Sequence, residues 1–265
     1  MLKTEMRNKA SSNIDRMDSL SMIELMNSEN YNALKAIDRV LPDIAKVCDA
    51  VTCCLKKGGR LFYVGAGTSG RIGVLDASEC PPTFGVSHDT VIGVIAGGEK
   101  CLTKAAESQE DNAQAGETDL MNHNLSDCDI VIGISASGGA SYVIGALDYA
   151  NSVGAMTVSI TNNYETPMEK IAKLSIVADT GPEVITGSTR LKAGTAQKLI
   201  LNMISTASMV QTGKVYENMM INLKPTNIKL RARMIRIVSE IKNCDENIAE
   251  KLLEENNWII REAIK

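Results

Sequence analysis

Aromatic side chains are scarce, at 3% of 265 residues with one tryptophan and two phenylalanines. So few rings offer no stacking surface for bases, and a net charge of -4 with a pI near 5.4 supplies no global basic field, which argues against a nucleic-acid partner. Histidine occurs only at His88 and His123. Neither has the companions of a metal cluster or a Ser/His/Asp set, so both read as surface or loop residues. The seven cysteines are odd in number and form no C-x-x-C pair, which argues against a disulfide framework or zinc site and leaves reduced thiols as the expectation. No apolar run reaches the ~18 residues needed to cross a bilayer. The opening Met1 to Arg7 lacks the apolar centre of a signal peptide. A cytoplasmic protein with no membrane partner is expected.

With 44% hydrophobic residues, the chain can bury a substantial core as one large domain with appendages. The residues up to about Ser28 read as a polar arm with a short helix over Ser19 to Met26. Apolar positions from Leu34 to Val51 recur with helical spacing and are interrupted near Pro42. Gly58 and Gly59 then close a helix. Five apolar runs predict strands: Leu61 to Val64, Val91 to Ile95, Ile130 to Ile134, Met156 to Ile160 and Leu174 to Val177. Helical patterns between them include one from the first strand that Pro81 and Pro82 are expected to end, one with Leu102, Ala105 and Ala106, and one over Ser141 to Ala150. A long helix over Ser188 to Thr212 follows, with Leu191, Thr195, Leu199, Met203 and Met209 as inward candidates. The alternation predicts an α/β fold with a doubly wound, parallel, five-stranded sheet flanked by terminal helices, whose ligands bind beyond the carboxyl ends of the strands. The expected parts are a helical arm over 1–50, a ligand-binding domain over 51–214 and a helical appendage over 215–265. In the last part Trp258 and the methionines read as core filling.

Every turn that could carry chemistry falls at such a strand end. Gly67, Thr68, Ser69 and Gly70 follow the first strand, and Ser135, Ala136, Ser137, Gly138 and Gly139 follow the third. Both turns offer hydroxyls and backbone amides at a helix start, which together suit a phosphate and a sugar hydroxyl. Glu79 lies near the expected end of the helix that begins at the first turn, where the macrodipole disfavours a negative charge; it needs either solvent or a task. Glu110 belongs to a polar stretch and is open to the same two readings. Glu183, Ser188, Thr189 and Lys192 gather where a loop enters the long helix. Either hydroxyl can cap that helix, and Lys192 is open to two readings, a solvent-facing side chain or one that reaches an anion at the helix start.

The first turn, Glu79 and the Glu183 to Lys192 group fall in longer segments that resemble a known family: Thr4-Glu5 with Arg7-Asn8, Phe62 to Gly85, Ile95 to Glu99, Tyr142 to Leu147, Gly181 to Lys198 and Asn227 to Arg233. The chain is similar to the N-acetylmuramic acid 6-phosphate etherases, relatives of the glucokinase regulatory protein built on the sugar isomerase (SIS) fold. The resemblance implies cleavage of a D-lactyl ether by elimination and water addition, without a metal or redox cofactor. Glu79 matches the family's proton donor and Glu110 its second acid. Thr68, Ser69 and the Ser135 to Gly139 turn match its sugar-phosphate contacts, and a homodimer is implied. The family commonly has arginine, threonine and proline where this chain has Gly139, Ala140 and Ser141. A sugar-phosphate sensor without catalysis and an aldose-ketose isomerase are the rival readings on the same fold.

Overall fold

Five short runs with buried side chains set the centre of the molecule, and the helices between them cover both of its faces. The computed structural model describes residues 1–104, 109–225 and 227–265. In chain order the elements are α1 (Ser19–Asp38), α2 (Leu41–Lys56), β1 (Leu61–Gly65), α3 (Gly67–Phe84), β2 (Val91–Ile95), α4 (Lys100–Thr103), α5 (Ala113–Asn122), β3 (Ile130–Ile134) and α6 (Ser141–Ser152). They continue with β4 (Met156–Thr161), α7 (Pro167–Ile171), β5 (Leu174–Val177), α8 (Lys192–Gln211), β6 (Val215–Tyr216), β7 (Met219–Met220), α9 (Ile228–Lys242), α10 (Glu246–Glu255) and α11 (Ile260–Ala263).

Strands β1 to β5 form one parallel sheet in the order β2-β1-β3-β4-β5. Every residue of β1 and β3 is buried, as expected where helices cover both faces. One face packs with α1, α2, α3 and α8 through Ile37, Val47, Ile200 and Ile204, and the other packs mainly with α6 through Val143 and Leu147. The chain leaves β1 for β2 at one edge and returns past β1 to β3. Their carboxyl ends therefore flank the crevice in which open α/β sheets bind ligands.

The amino ends of the same two strands are tied by charge. Arg60 donates to Asp129 through its backbone N–H at 2.9 Å and its guanidinium at 3.2 and 2.7 Å. Burial works against the Asp129 charge, but hydrogen bonds from Arg60 and Ser126 outweigh it and hold the carboxyl below its ordinary value of 3.8. A depressed acid stabilises the fold above its unfolded pKa and loses that contribution as pH falls through the folded one. Asp129→Asn should therefore cost about 2 kcal/mol at pH 7 and progressively less below pH 4, measured by urea unfolding across that range.

Several elements depart from the sequence expectations. Helix α1 runs unbroken for 20 residues, because the polar stretch from Asn27 to Asn30 contains no helix breaker. Pro81 and Pro82 lie inside α3 rather than ending it. Proline's fixed φ is compatible with the last turn, Phe84 is anchored in the core, and Gly85 closes the helix by donating to the Pro81 carbonyl at 2.9 Å. Glu79 is thus five residues short of the helix end. Helix α8 begins at Lys192, not Ser188, and buries Ala193, Ala196, Gln197, Ile200, Ile204 and Ser208. Of the expected inward residues Met209 is buried, whereas Thr195 and Met203 face solvent. Ala105 and Ala106 lie outside the described residues. Helix α5 has too few apolar residues to announce itself; Asn112 caps it by accepting from Ala115 N–H at 3.0 Å. The last segment has its own core around Met234, Val238, Leu253 and Ile260, with Trp258 packed against it. No helix among the described residues is long and apolar enough to cross a membrane.

Candidate active site

Two turns stand side by side at the carboxyl ends of β1 and β3. In the first, Gly67 enters α3 at φ +52°, a left-handed conformation that a side chain would strain. Ala66 gives the helix no side-chain cap, and the Gly70 N–H bonds back to the Ala66 carbonyl at 3.2 Å. The amides of Gly67, Thr68 and Ser69 are therefore the unsatisfied donors at a positive helix end. Thr68 is half-buried, while Ser69 is 9% exposed and donates its hydroxyl to Gln197 Oε1 at 2.8 Å.

The second turn is held by its own serines. Ser135 Oγ accepts from Gly138 N–H at 3.1 Å and lies 3.3 Å from Ser137 Oγ, which accepts from Gly139 N–H at 3.2 Å. Gly138 has φ +69°, and a Cβ there would come within 2.5 Å of the Thr166 side chain. Beyond the turn α6 starts at Ser141, again without a side-chain cap. Glu110 belongs to this end of the molecule: its carbonyl accepts from Tyr142 N–H at 2.8 Å, so its chain segment is tied to the first turn of α6.

A third segment, 183–194, closes against the first turn. A Cβ on Gly194 would lie 3.4 Å from both Thr68 Cγ2 and the Thr189 carbonyl, which brings Ser188 and Thr189, both half-buried, to the same end of the sheet. Neither hydroxyl caps α8. The Glu183 carboxylate does so, accepting from Lys192 N–H at 3.2 Å and Ala193 N–H at 2.9 Å. Burial nevertheless pushes the Glu183 pKa above its ordinary value, those two amides only partly offsetting it. The Lys192 ammonium turns inward to Glu29 of α1, and its side chain is 2% exposed. Asn8 donates to the same carboxylate at 2.8 Å. Glu183 and Lys192 are thus both engaged within the protein, by the α8 amides and by Glu29.

Glu79 stands apart from all of these. It is exposed and lies ten residues beyond Ser69 on one helix, about 15 Å along the axis. Buried Asp76 comes between, accepting from Asn202 at 2.6 Å and Ser205 at 3.1 Å on α8. Leu75, one turn before Glu79 on the same face, is 52% exposed. A concave space of about 560 Å³ lies away from the turns near Arg60, Gly85 and Lys214, and one of about 490 Å³ runs from Lys35, Arg39 and Asp179 to Asn8, Glu29 and Lys192; the two turns line neither. Sequence reasoning missed Gln197, Asn162, Asn163, Thr4 and Glu29, all of which brace the turns or Lys192. The signal available for two of them was position: Asn162 and Asn163 directly follow a buried strand at its ligand-facing end. Among the described residues no cluster of His, Cys, Asp and Glu could hold a metal ion.

Comparison with known proteins places this arrangement. Residues 43–151 match the N-terminal SIS domain of the glucokinase regulatory protein, and residues 104–207 match the SIS domain. A phosphoheptose isomerase from Francisella tularensis shares the fold with a TM-score of 0.55 at 18% identity, over 72% of this chain and 98% of that one. The N-acetylmuramic acid 6-phosphate etherases of Clostridium botulinum (strain Okra / Type B1) and Halalkalibacterium halodurans are each 52% identical over 263 residues. Those alignments cover 99% of this chain and 87% and 88% of the relatives. At that identity and coverage, this chain with its paired strand-end turns belongs to the N-acetylmuramic acid 6-phosphate etherase family.

Proposed function

We propose that this chain cleaves the D-lactyl ether of N-acetylmuramic acid 6-phosphate to give N-acetylglucosamine 6-phosphate and D-lactate, with Glu79 and Glu110 as its acid and base. The carrying observation is the pair of adjoining turns with free helix-start amides, to which the Glu110 segment is tied through Tyr142. The amides of Gly67 and Thr68, the Thr68 hydroxyl and the Ser135 to Gly139 turn hold the sugar phosphate, which supplies positioning remote from the bond that breaks. In the open-chain sugar the proton on carbon 2 lies beside an aldehyde. Glu110 removes it, the electron pair forms the carbon 2–carbon 3 double bond, and the carbon 3–oxygen bond breaks as Glu79 protonates the departing lactate. Water then adds back at carbon 3 and the proton returns to carbon 2.

Within one protomer Glu79 lies far along α3 from the cradle. A glutamate side chain is shorter than one helical turn, and about three turns separate Glu79 from the cradle. We place Glu79 in the site of a second copy within a homodimer. Its supports are the exposed Leu75 beside Glu79, together with exposed Met203 and Val210 on α8 and Ile23 and Leu34 on α1, helices that pack together. A phosphorylated sugar substrate fits a cytoplasmic location. The test is direct: purified chain incubated with N-acetylmuramic acid 6-phosphate should release D-lactate. Tight binding of the sugar phosphate without lactate would instead mark a sensor.

A further inference from the structure

Behind the two turns runs a chain of buried polar side chains that no step of the reaction uses. Ser69 Oγ donates to Gln197 Oε1 at 2.8 Å, Gln197 Nε2 donates to Asn162 Oδ1 at 3.0 Å, and Asn162 Nδ2 donates to the Ala178 carbonyl at 2.7 Å. The relative exposures of Gln197 and Asn162 are 1% and 0%. Asn163 continues the network, donating to the Ala136 carbonyl at 2.9 Å and to buried Thr4 at 3.0 Å.

The direction of this chain is fixed from its far end. A backbone carbonyl can only accept, so Asn162 must present its NH2 group to Ala178 and its oxygen to Gln197. Gln197 must then turn its NH2 toward Asn162 and its oxygen toward Ser69. Ser69 has one hydroxyl proton, and it is committed inward. Turning that proton outward would strand the buried Gln197 oxygen without a partner. What Ser69 can offer a ligand is lone pairs alone, and a phosphate dianion, which has no proton to donate, gains nothing from them.

We infer that Ser69 is a hydrogen-bond acceptor which recognises a sugar hydroxyl or the acetamido N–H, not the phosphate, and that Gln197 and Asn162 are the positioning residues that hold it in that role. This rests on the sugar-phosphate site proposed above. It divides the first turn into two functions: the backbone amides and Thr68 meet the anion, and Ser69 reads the sugar.

The test compares two competitive inhibitors of lactate release, inorganic phosphate and N-acetylglucosamine 6-phosphate. Ser69→Ala should weaken the sugar phosphate about tenfold and leave inorganic phosphate within about twofold. Gln197→Met frees the Ser69 proton to face outward. It should tighten inorganic phosphate about two- to fivefold while weakening the sugar phosphate, a pair of opposite shifts that general loosening of the site cannot produce. Equal weakening of both inhibitors in Ser69→Ala would overturn the inference. So would parallel losses in Gln197→Met; if that variant does not fold, the Ser69→Ala comparison decides alone. A wild-type chain that releases no lactate would defeat the functional reading beneath, and this inference with it.

Discussion

Chains carrying Glu79→Gln and chains carrying Glu110→Gln, each nearly inactive alone, should regain about a quarter of the wild-type rate when co-expressed in equal amounts. Each substitution alone removes a proton-transfer group and should cost roughly 100- to 10,000-fold in lactate release. Random pairing makes half of the dimers mixed. In a mixed dimer one site combines the intact Glu110 of its own protomer with the intact Glu79 of the other, and the second site has neither. The separation of about 15 Å along α3 between Ser69 and Glu79 is what motivates the shared-site proposal. If both carboxylates serve the same chain, the mixture stays as dead as its components. Singly substituted enzymes that keep the normal rate would remove Glu79 and Glu110 from the chemistry altogether. The two roles separate further in deuterated water, where Glu79→Gln should still exchange the carbon 2 proton and Glu110→Gln should not.

The second large effect concerns stability. Glu29→Ala should lower the unfolding free energy by about 3–5 kcal/mol, because it leaves the Lys192 ammonium buried without its counter-charge. That is a large fraction of the roughly 5–15 kcal/mol that holds an ordinary domain together, so a marked fall in the thermal midpoint is expected. Replacing both partners, in Glu29→Met with Lys192→Met, should recover much of the loss, since no charge is then stranded. A double variant as unstable as the single would mean that the pair is not coupled. Burial opposes the Glu29 charge, yet Lys192 and Asn8 prevail and hold its carboxyl below the ordinary 4.5. Its contribution is therefore complete above about pH 4.5 and fades as the pH falls through the folded value. The gap between wild type and Glu29→Ala should narrow accordingly in acid.

The parallel sheet was legible because its strands are apolar runs bounded by turn residues, and all five lie where those runs predict. What escaped is what depends on distant partners. The start of α8 was misplaced because its cap, Glu183, stands nine residues upstream of Lys192 rather than beside it. Pro81 and Pro82 mark a helix end by local rules, but an anchored Phe84 and the Gly85 closure override them. Of the candidate site, the two turns could be read as phosphate cradles from their glycines and hydroxyls. That Ser69 is already engaged could not, since Gln197 is 128 residues away in sequence. Glu79 was placed on the right helix, and the proline pair hides only that the helix runs on to Phe84.

The strand order also sets the tempo at which the molecule can assemble. β1 pairs with β2 and with β3, and β3 begins 65 residues after the β1 strand ends. Helix α3 packs on its neighbours β1 and β2 as soon as they are made, but α1 and α2 find their main covering partner in α8. A nascent chain emerging from the ribosome therefore carries α1 and α2 with apolar faces largely uncovered until about residue 211 has been made. With every pairing of its parallel sheet made across an intervening helix, loop closure must precede strand pairing and folding is slow. Aggregation during synthesis, rather than any weakness of the finished core, is the hazard such an order of events creates.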